Sequence, residues 1–264
     1  MYTEVNGHRT FYSTGSGKHQ PGATGVVFIH GAGMDHTVWV MPARHFARHG
    51  FNVVAPDLPA HGRSAGEALR SIDLMADWVC SAMEATGLSE AIIVGHSMGS
   101  LIALNLAARH PRYAARLALL GTSTPMPVAD PLLNAARDNS HAAIDMANTW
   151  SHRRYGQIGG NEVPGMWMTG GGERLLERAS GDVFYTDLNA CNEFTNGAEL
   201  AADVSCPSLV IIGAQDMMTA PVSSRQVASA IEGSRTVELE RCGHSMLSEK
   251  PDAVLNALKT IIQA

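Results

Sequence analysis

AIIVGHSMGSLIALNLAARH, residues 91–110, decides how the rest of the chain is read. Ala91–Val94 is a short apolar run rich in β-branched residues, as in a strand buried on both faces. Residues 98–109 read as a helix that must close before His110-Pro111. Between them stands Gly95-His96-Ser97-Met98-Gly99, a G-x-S-x-G pattern with a strand before it and a helix after it. A serine on such a turn sits in strained backbone at the amino end of a helix. Glycine two positions away on each side lets the neighbouring backbones approach.

Outward from this turn, further runs at 26–29 (VVFI), 53–55 (VVA), 117–120 (LALL) and 209–212 (LVII) also read as buried strands. Helical stretches alternate with them. Ile72, Met75, Ala76, Val79 and Met83 form one helical stripe that Ser71 can cap and Gly87 can end. The alternation predicts an α/β fold with a mostly parallel central sheet and helices on both faces, whose ligands gather at the carboxyl ends of the strands. It breaks between about 125 and 205. There Pro125, Pro127, Pro131, Pro164 and the glycines at 170–172 interrupt short helical pieces at 141–150 and 173–179. Residues 129–204 are therefore expected to be an inserted helical cap, and 1–128 with 205–264 the core. Met146, Trp150, Met166, Trp167, Met168, Phe184 and Tyr185 either pack the cap or face a substrate.

Composition narrows the function. The chain has 264 residues, 45% hydrophobic and 17% charged, enough to bury a core without disulfide or metal. Cys80, Cys191, Cys206 and Cys242 form no C-x-x-C pair and read as buried apolar residues. No cysteine and histidine spacing suggests a metal site, and no cofactor is expected. A formal charge of −6 with no basic track argues against nucleic acid. The first 20 residues lack an apolar leader core, and no run is long enough to span a bilayer, so a cytoplasmic protein with no membrane partner is expected. The oligomeric state is left open.

A serine hydroxyl needs a base to become a nucleophile, and the base needs a carboxylate to orient it. Among twelve histidines, His244 follows the run 235–240 that reads as the last strand, and precedes the helix signalled by Glu249-Lys250-Pro251-Asp252. Asp216 ends the run LVII in Gly213-Ala214-Gln215-Asp216. The alternative position for the acid, 121–124, reads GTST and offers none. The order Ser97, Asp216, His244 puts all three at the carboxyl edge of the sheet. His30-Gly31-Ala32-Gly33 follows the strand VVFI and can supply an oxyanion donor. The N–H groups of Ala32 and Met98 are assigned to that hole, with Gly33 as the second choice for the first donor. His30 is expected to brace its loop, His96 to pack beneath the turn, and the charges of Asp57–Ser64 to satisfy one another and nearby backbone.

HGAG at 30–33, DLPAHGRS at 57–64, GHSMG at 95–99, GAQD at 213–216 and CGHSMLSEKPDAV at 242–254 together resemble the α/β-hydrolase superfamily, in its serine esterase and lipase-like branch. The resemblance runs from about Val5 to the end, except in the cap. It implies an α/β-hydrolase fold and an acyl-enzyme mechanism on a small-molecule ester. Ala60 departs from the glycine usual there. Carbon-carbon hydrolases of this superfamily commonly carry Asn before the serine and Trp after the histidine, where this chain has His96 and Ser245. Carbon-carbon and lactone hydrolysis, and a small-molecule receptor on the same fold, stay as alternatives. The acyl group is expected to meet Trp39, Trp150, Trp167, Phe184, Met217 and Met246, which suits a small to medium apolar or aromatic ester.

Overall fold

The computed structural model describes residues 1–160, 162–163, 165–179 and 181–264. Pro164, one of the expected helix breakers, lies outside them. Among the described residues the strands are β1 (Tyr2–Val5), β2 (His8–Ser13), β3 (Gly25–Ile29), β4 (Asn52–Pro56), β5 (Ala91–His96), β6 (Ala114–Leu120), β7 (Ser208–Gly213) and β8 (Arg235–Leu239). They form one sheet in the order β1-β2-β4-β3-β5-β6-β7-β8. From β4 to β8 all pairs are parallel, and β1 and β2 join antiparallel. The fold is thus the α/β arrangement that the alternation of strands and helices implied.

Three helices are interleaved with the first strands: α1 (Val40–Arg48), α2 (Ile72–Ala85) and α3 (Met98–Arg109). Among the described residues six more stand between β6 and β7: α4 (Asp130–Arg137), α5 (His141–Ser151), α6 (Arg154–Gln157), α7 (Met168–Leu176), α8 (Val183–Glu193) and α9 (Gly197–Ala202). The chain closes with α10 (Pro221–Ala230), α11 (Met246–Glu249) and α12 (Pro251–Ile262). The two-residue period of the strands divides the core. Val27, Ile29, Val54 and Ile93 pack with Met75, Val79, Met83 and Leu101 of α2 and α3. Val26, Phe28, Val53, Ile92 and Val94 pack on the opposite face with Phe46 of α1 and Leu258 and Ile261 of α12. Each such side chain contributes about 1.5–3 kcal/mol by leaving water, so both layers hold the central strands firmly.

The Ser71 hydroxyl caps α2 by accepting the Leu74 N–H at 3.2 Å, and Gly87 beyond its end has φ +80°, as the sequence suggested. Three features went unread or were misplaced. The β1–β2 hairpin turns on Asn6 (φ 50°) and Gly7 (φ 81°), a left-handed pair that Asn-Gly adopts readily. The piece expected at 173–179 instead begins at Met168, so the glycine run lies within α7; a Cβ at Gly170 would run into the Trp167 indole, so close packing explains that glycine. Cys80, Cys191 and Cys242 are buried as expected, but Cys206 is only half-buried. The helices between β6 and β7 have an apolar cluster of their own, centred on Leu132, Leu133, Ala147, Leu176 and Leu188. Among the described residues no helix is long and apolar enough to cross a membrane.

Candidate active site

Ser97 occupies the sharp turn between β5 and α3 with φ +56° and ψ −124°, a conformation that costs a non-glycine residue about 1–3 kcal/mol. The surroundings enforce it. Ser97 N–H donates to Leu120 O at 2.9 Å, and the Ser97 carbonyl accepts both the N–H and the hydroxyl of Ser100 at 2.7 and 2.6 Å. A Cβ on Gly95 would strike the Gly99 carbonyl, and one on Gly99 would strike the carbonyl of Ile29, so both glycines are required by close approach.

Asp216 and His244 stand on the loops leaving β7 and β8. The two loops are laced together by Ala214 N–H to Leu239 O at 3.0 Å and Gln215 N–H to Cys242 O at 2.8 Å. His244 Nδ1 lies 2.8 Å from Asp216 Oδ2, with both side chains buried. The carboxylate is otherwise fully engaged. Its Oδ1 accepts the N–H groups of Met218 and Thr219, both at 2.8 Å, and its Oδ2 accepts the Thr219 hydroxyl at 2.7 Å. Burial alone would raise this carboxyl, but the charge and hydrogen bond of His244, with the Thr219 donors, outweigh it and hold Asp216 below the usual carboxylate range. Ser97 and His244 border one cavity of about 110 Å³, together with Ala32, Trp150, Leu188 and Met217. No hydrogen bond joins the Ser97 hydroxyl to the ring in this resting geometry; such contacts commonly tighten only around substrate.

The HGAG loop divides its donors. Gly33 N–H is committed to Asp187 Oδ2 at 2.8 Å, which removes it as the second choice for the oxyanion hole. Among the described residues Ala32 N–H has no acceptor, and Met98 N–H, at the first position of α3, has none within its helix. His30 braces the loop through Nδ1–H to Gly31 O at 2.9 Å and by accepting Leu58 N–H at 3.1 Å; burial and the nearby His61 lower it to about 4, so the ring is neutral. His96 packs beneath the turn and donates from Nε2 to His244 O at 2.9 Å, and burial with the adjacent His244 lowers it to about 3. Asp57 accepts the N–H and Nδ1 of His36 and the N–H of Arg63, so that loop is largely satisfied internally. With Asp35 these residues lie near enough to hold an ion, but their oxygens are already met by His36, Arg63, Thr37 and Arg178. Ala60 has φ +68°, a position where glycine would be relaxed.

Several groups near the site have no counterpart in the sequence reading. Thr219 was one, although Asp-x-x-Thr is a local turn signal. Glu249 is another: buried, its carboxyl pushed up by that burial, it accepts Gly243 N–H at 3.1 Å and Arg153 N–H at 3.3 Å. Ser245 N–H donates to Ser151 O at 2.8 Å. The end of α5 and the residues after it are thereby tied to the loop that carries His244.

Two expected substrate contacts are corrected. Trp39 is fully buried against Phe28 at 5.0 Å between ring centroids, on the α1 and α12 face of the sheet. Met246 is fully buried in the same cluster, because α11 turns it away from the cavity. Trp39→Ala is accordingly expected to cost about 3–5 kcal/mol of stability, read by urea unfolding. Phe184 stands behind the HGAG loop against Gly33, apart from the cavity at Ser97. Trp150 and Met217 do border that cavity. Trp167 is 74% exposed and lines a larger cavity of about 390 Å³ with Met34, His96, Arg174, Arg178 and Ser245. None of Ser97, Asp216 or His244 borders that larger cavity.

Residues 25–251 match the family described as alpha/beta hydrolase fold. The chain belongs to the α/β-hydrolase fold family. Among relatives within it, (E)-2-((N-methylformamido)methylene)succinate hydrolase of Acinetobacter baylyi is 24% identical, covering 98% of this chain and 97% of its own length. Pimeloyl-[acyl-carrier protein] methyl ester esterase of Aromatoleum aromaticum is 26% identical over 90% of this chain and 98% of its own. The same α/β-hydrolase architecture recurs in the crystal structure of the enol-lactonase from Burkholderia xenovorans LB400, with TM-score 0.86, 24% identity and 98% of each chain covered.

Proposed function

We propose that this α/β-hydrolase cleaves carboxylic esters of small molecules through an acyl-enzyme on Ser97. The observation that carries the reading is the buried 2.8 Å pair of His244 Nδ1 and Asp216, whose histidine borders the same cavity as Ser97. Asp216 accepts a hydrogen bond from Nδ1–H, which leaves Nε2 with its lone pair free to take the serine proton. Ser97 Oγ then attacks the ester carbonyl, and the oxyanion is met by the N–H groups of Ala32 and Met98. The imidazolium returns the proton to the departing alcohol. Water, activated by the same ring, releases the acid and restores the serine. Apart from the ester and the water, every group in this scheme is a side chain or backbone N–H of the chain.

In the same reading residues 129–204 form a cap that selects the substrate. The support is local: Trp150 from α5 and Leu188 from α8 border the reaction cavity, whose 110 Å³ is small beside the roughly 300–1,000 Å³ of ordinary ligand pockets. A short acyl group is therefore favoured. The ester named for the Aromatoleum relative supports the bond type. Measured as kcat/KM along p-nitrophenyl esters from acetate to decanoate, activity is expected to peak at the short end, and Trp150→Ala to move the peak to longer chains. Absence of hydrolysis along the whole series would overturn the ester reading, and an unchanged profile in the variant would overturn the cap as selector.

A further inference from the structure

Besides His244–Asp216 and His36–Asp57, the protein contains another buried histidine and carboxylate pair, one that joins the core to α8. His61, on the loop after β4, places Nε2 2.8 Å from Asp187 Oδ2 of α8, and their side chains are 2% and 0% exposed. That same oxygen accepts the Gly33 N–H at 2.8 Å. The other oxygen, Oδ1, is buried without a partner, so these two donors alone fix the carboxylate. His61 Nδ1 faces Pro59 O at 2.9 Å. Both ring nitrogens thus face acceptors, and only the imidazolium, with two N–H groups, satisfies both.

Other groups around the pair agree. Burial would lower His61, but the Asp187 charge, its hydrogen bond and the Pro59 carbonyl raise the ring above its ordinary 6.5. The remaining titratable neighbours are His30, whose ring lies at 4.9 Å and is neutral, Asp57, which is bonded to His36 and Arg63 N–H, and Cys191 farther along α8, whose thiol burial pushes up.

We infer that Asp187 is a positioning residue for the oxyanion hole: by holding Gly33 N–H it fixes the Ala32–Gly33 peptide, and so keeps Ala32 N–H available beside Ser97. The inference rests on the assignment of Ala32 as an oxyanion donor. The loop has little room to relax elsewhere. A Cβ on Gly31 would come 3.2 Å from the Ser97 Cβ, and one on Gly33 would meet the Phe184 ring, so the loop is held between the serine and α8. Oxyanion donors must lie about 2.7–3.1 Å from the oxygen they serve, so a small rotation of the Ala32–Gly33 peptide is enough to disable one. Without α8 in place, Gly33 N–H would lose its acceptor. The insert therefore completes the reaction site as well as covering it.

The test uses the full chain with an aryl acetate and with an aryl trifluoromethyl ketone, which forms an oxyanion adduct on an active serine. Asp187→Ala is expected to lower kcat by about 10²–10³ with KM changed less than threefold, and to weaken the ketone by a similar factor. A role in folding alone would lower the melting temperature while leaving kcat per folded molecule and ketone affinity near wild type, and that result would overturn the inference. Asp187→Asn keeps the shape and provides the second reading. In the wild type kcat should decline as pH rises through the folded-state pKa of His61, above 6.5, as the ring loses one of its two donors. Asp187→Asn should lose that alkaline limb, and its persistence would overturn the inference even if the alanine variant does not fold. Wild-type protein inert to both ester and ketone would overturn the hydrolase reading and this one together; activity in the wild type with an unaffected Asp187→Ala overturns only this one.

Discussion

Ser97→Ala is expected to remove nearly all ester turnover, by about 10⁶-fold, and to leave the protein folded. The first half follows from the scheme: without Oγ no acyl-enzyme forms, whatever the remaining groups do. The second follows from the structure. Among the described residues no group depends on the Ser97 hydroxyl for a hydrogen bond, while the contacts that impose φ +56°, through Leu120 O and Ser100, are made by the Ser97 backbone and persist in alanine. His244→Ala should cost about as much, and the double variant little more, because the members of such a unit do not contribute additively. Turnover per folded molecule, measured beside thermal unfolding, checks this. A Ser97→Ala protein that retains even 1% of activity would move the nucleophile elsewhere. The same variant distinguishes an enzyme from a receptor on this fold, since a receptor would keep its biological output without the hydroxyl.

The strand, turn and helix around Ser97 could be read because each part leaves a local mark: a β-branched apolar run, two glycines forced by close approach, and a helix long enough to show its length. Asp216 could be placed for the same reason, as a polar residue just past an apolar strand, and His244 by its position between the run 235–240 and the last helix. What the sequence conceals is the face to which a residue turns. Trp39 and Met246 lie close in sequence to the HGAG loop and to His244, yet both enter the α1 and α12 layer, because short helical turns rotate them away from the cavity. Contacts between distant segments are hidden as well. His61 and Asp187 are 126 residues apart, and α8 carries no motif, so neither residue points to the other before the chain is folded. The Asn6-Gly7 turn was legible in principle, but β1 and β2 are short and partly exposed, with no apolar run to draw attention to them.

Asp216→Asn should lower kcat by about 10⁴ while disturbing the shape of the site little. The reason lies in the count of donors around the carboxylate. Asp216 accepts four hydrogen bonds, from Met218 N–H, Thr219 N–H, the Thr219 hydroxyl and His244 Nδ1. An amide keeps one acceptor oxygen, which the two backbone N–H groups claim, and turns its NH₂ toward Thr219 and His244. The ring must then accept at Nδ1 and carry its proton on Nε2, where it can no longer receive the serine proton. Stability supplies a separate check with a definite sign. Because Asp216 is held below its ordinary value of 3.8, its contribution is present above that value and is lost as pH falls through the folded-state pKa. Urea unfolding from neutral to acid pH should therefore show a decline in wild-type stability part of which is missing in Asp216→Asn. If the asparagine variant instead turns over like the wild type while that acid-dependent component disappears, Asp216 would be a structural ion-pair partner of His244, and the group that sets the tautomer of the base would have to be sought elsewhere.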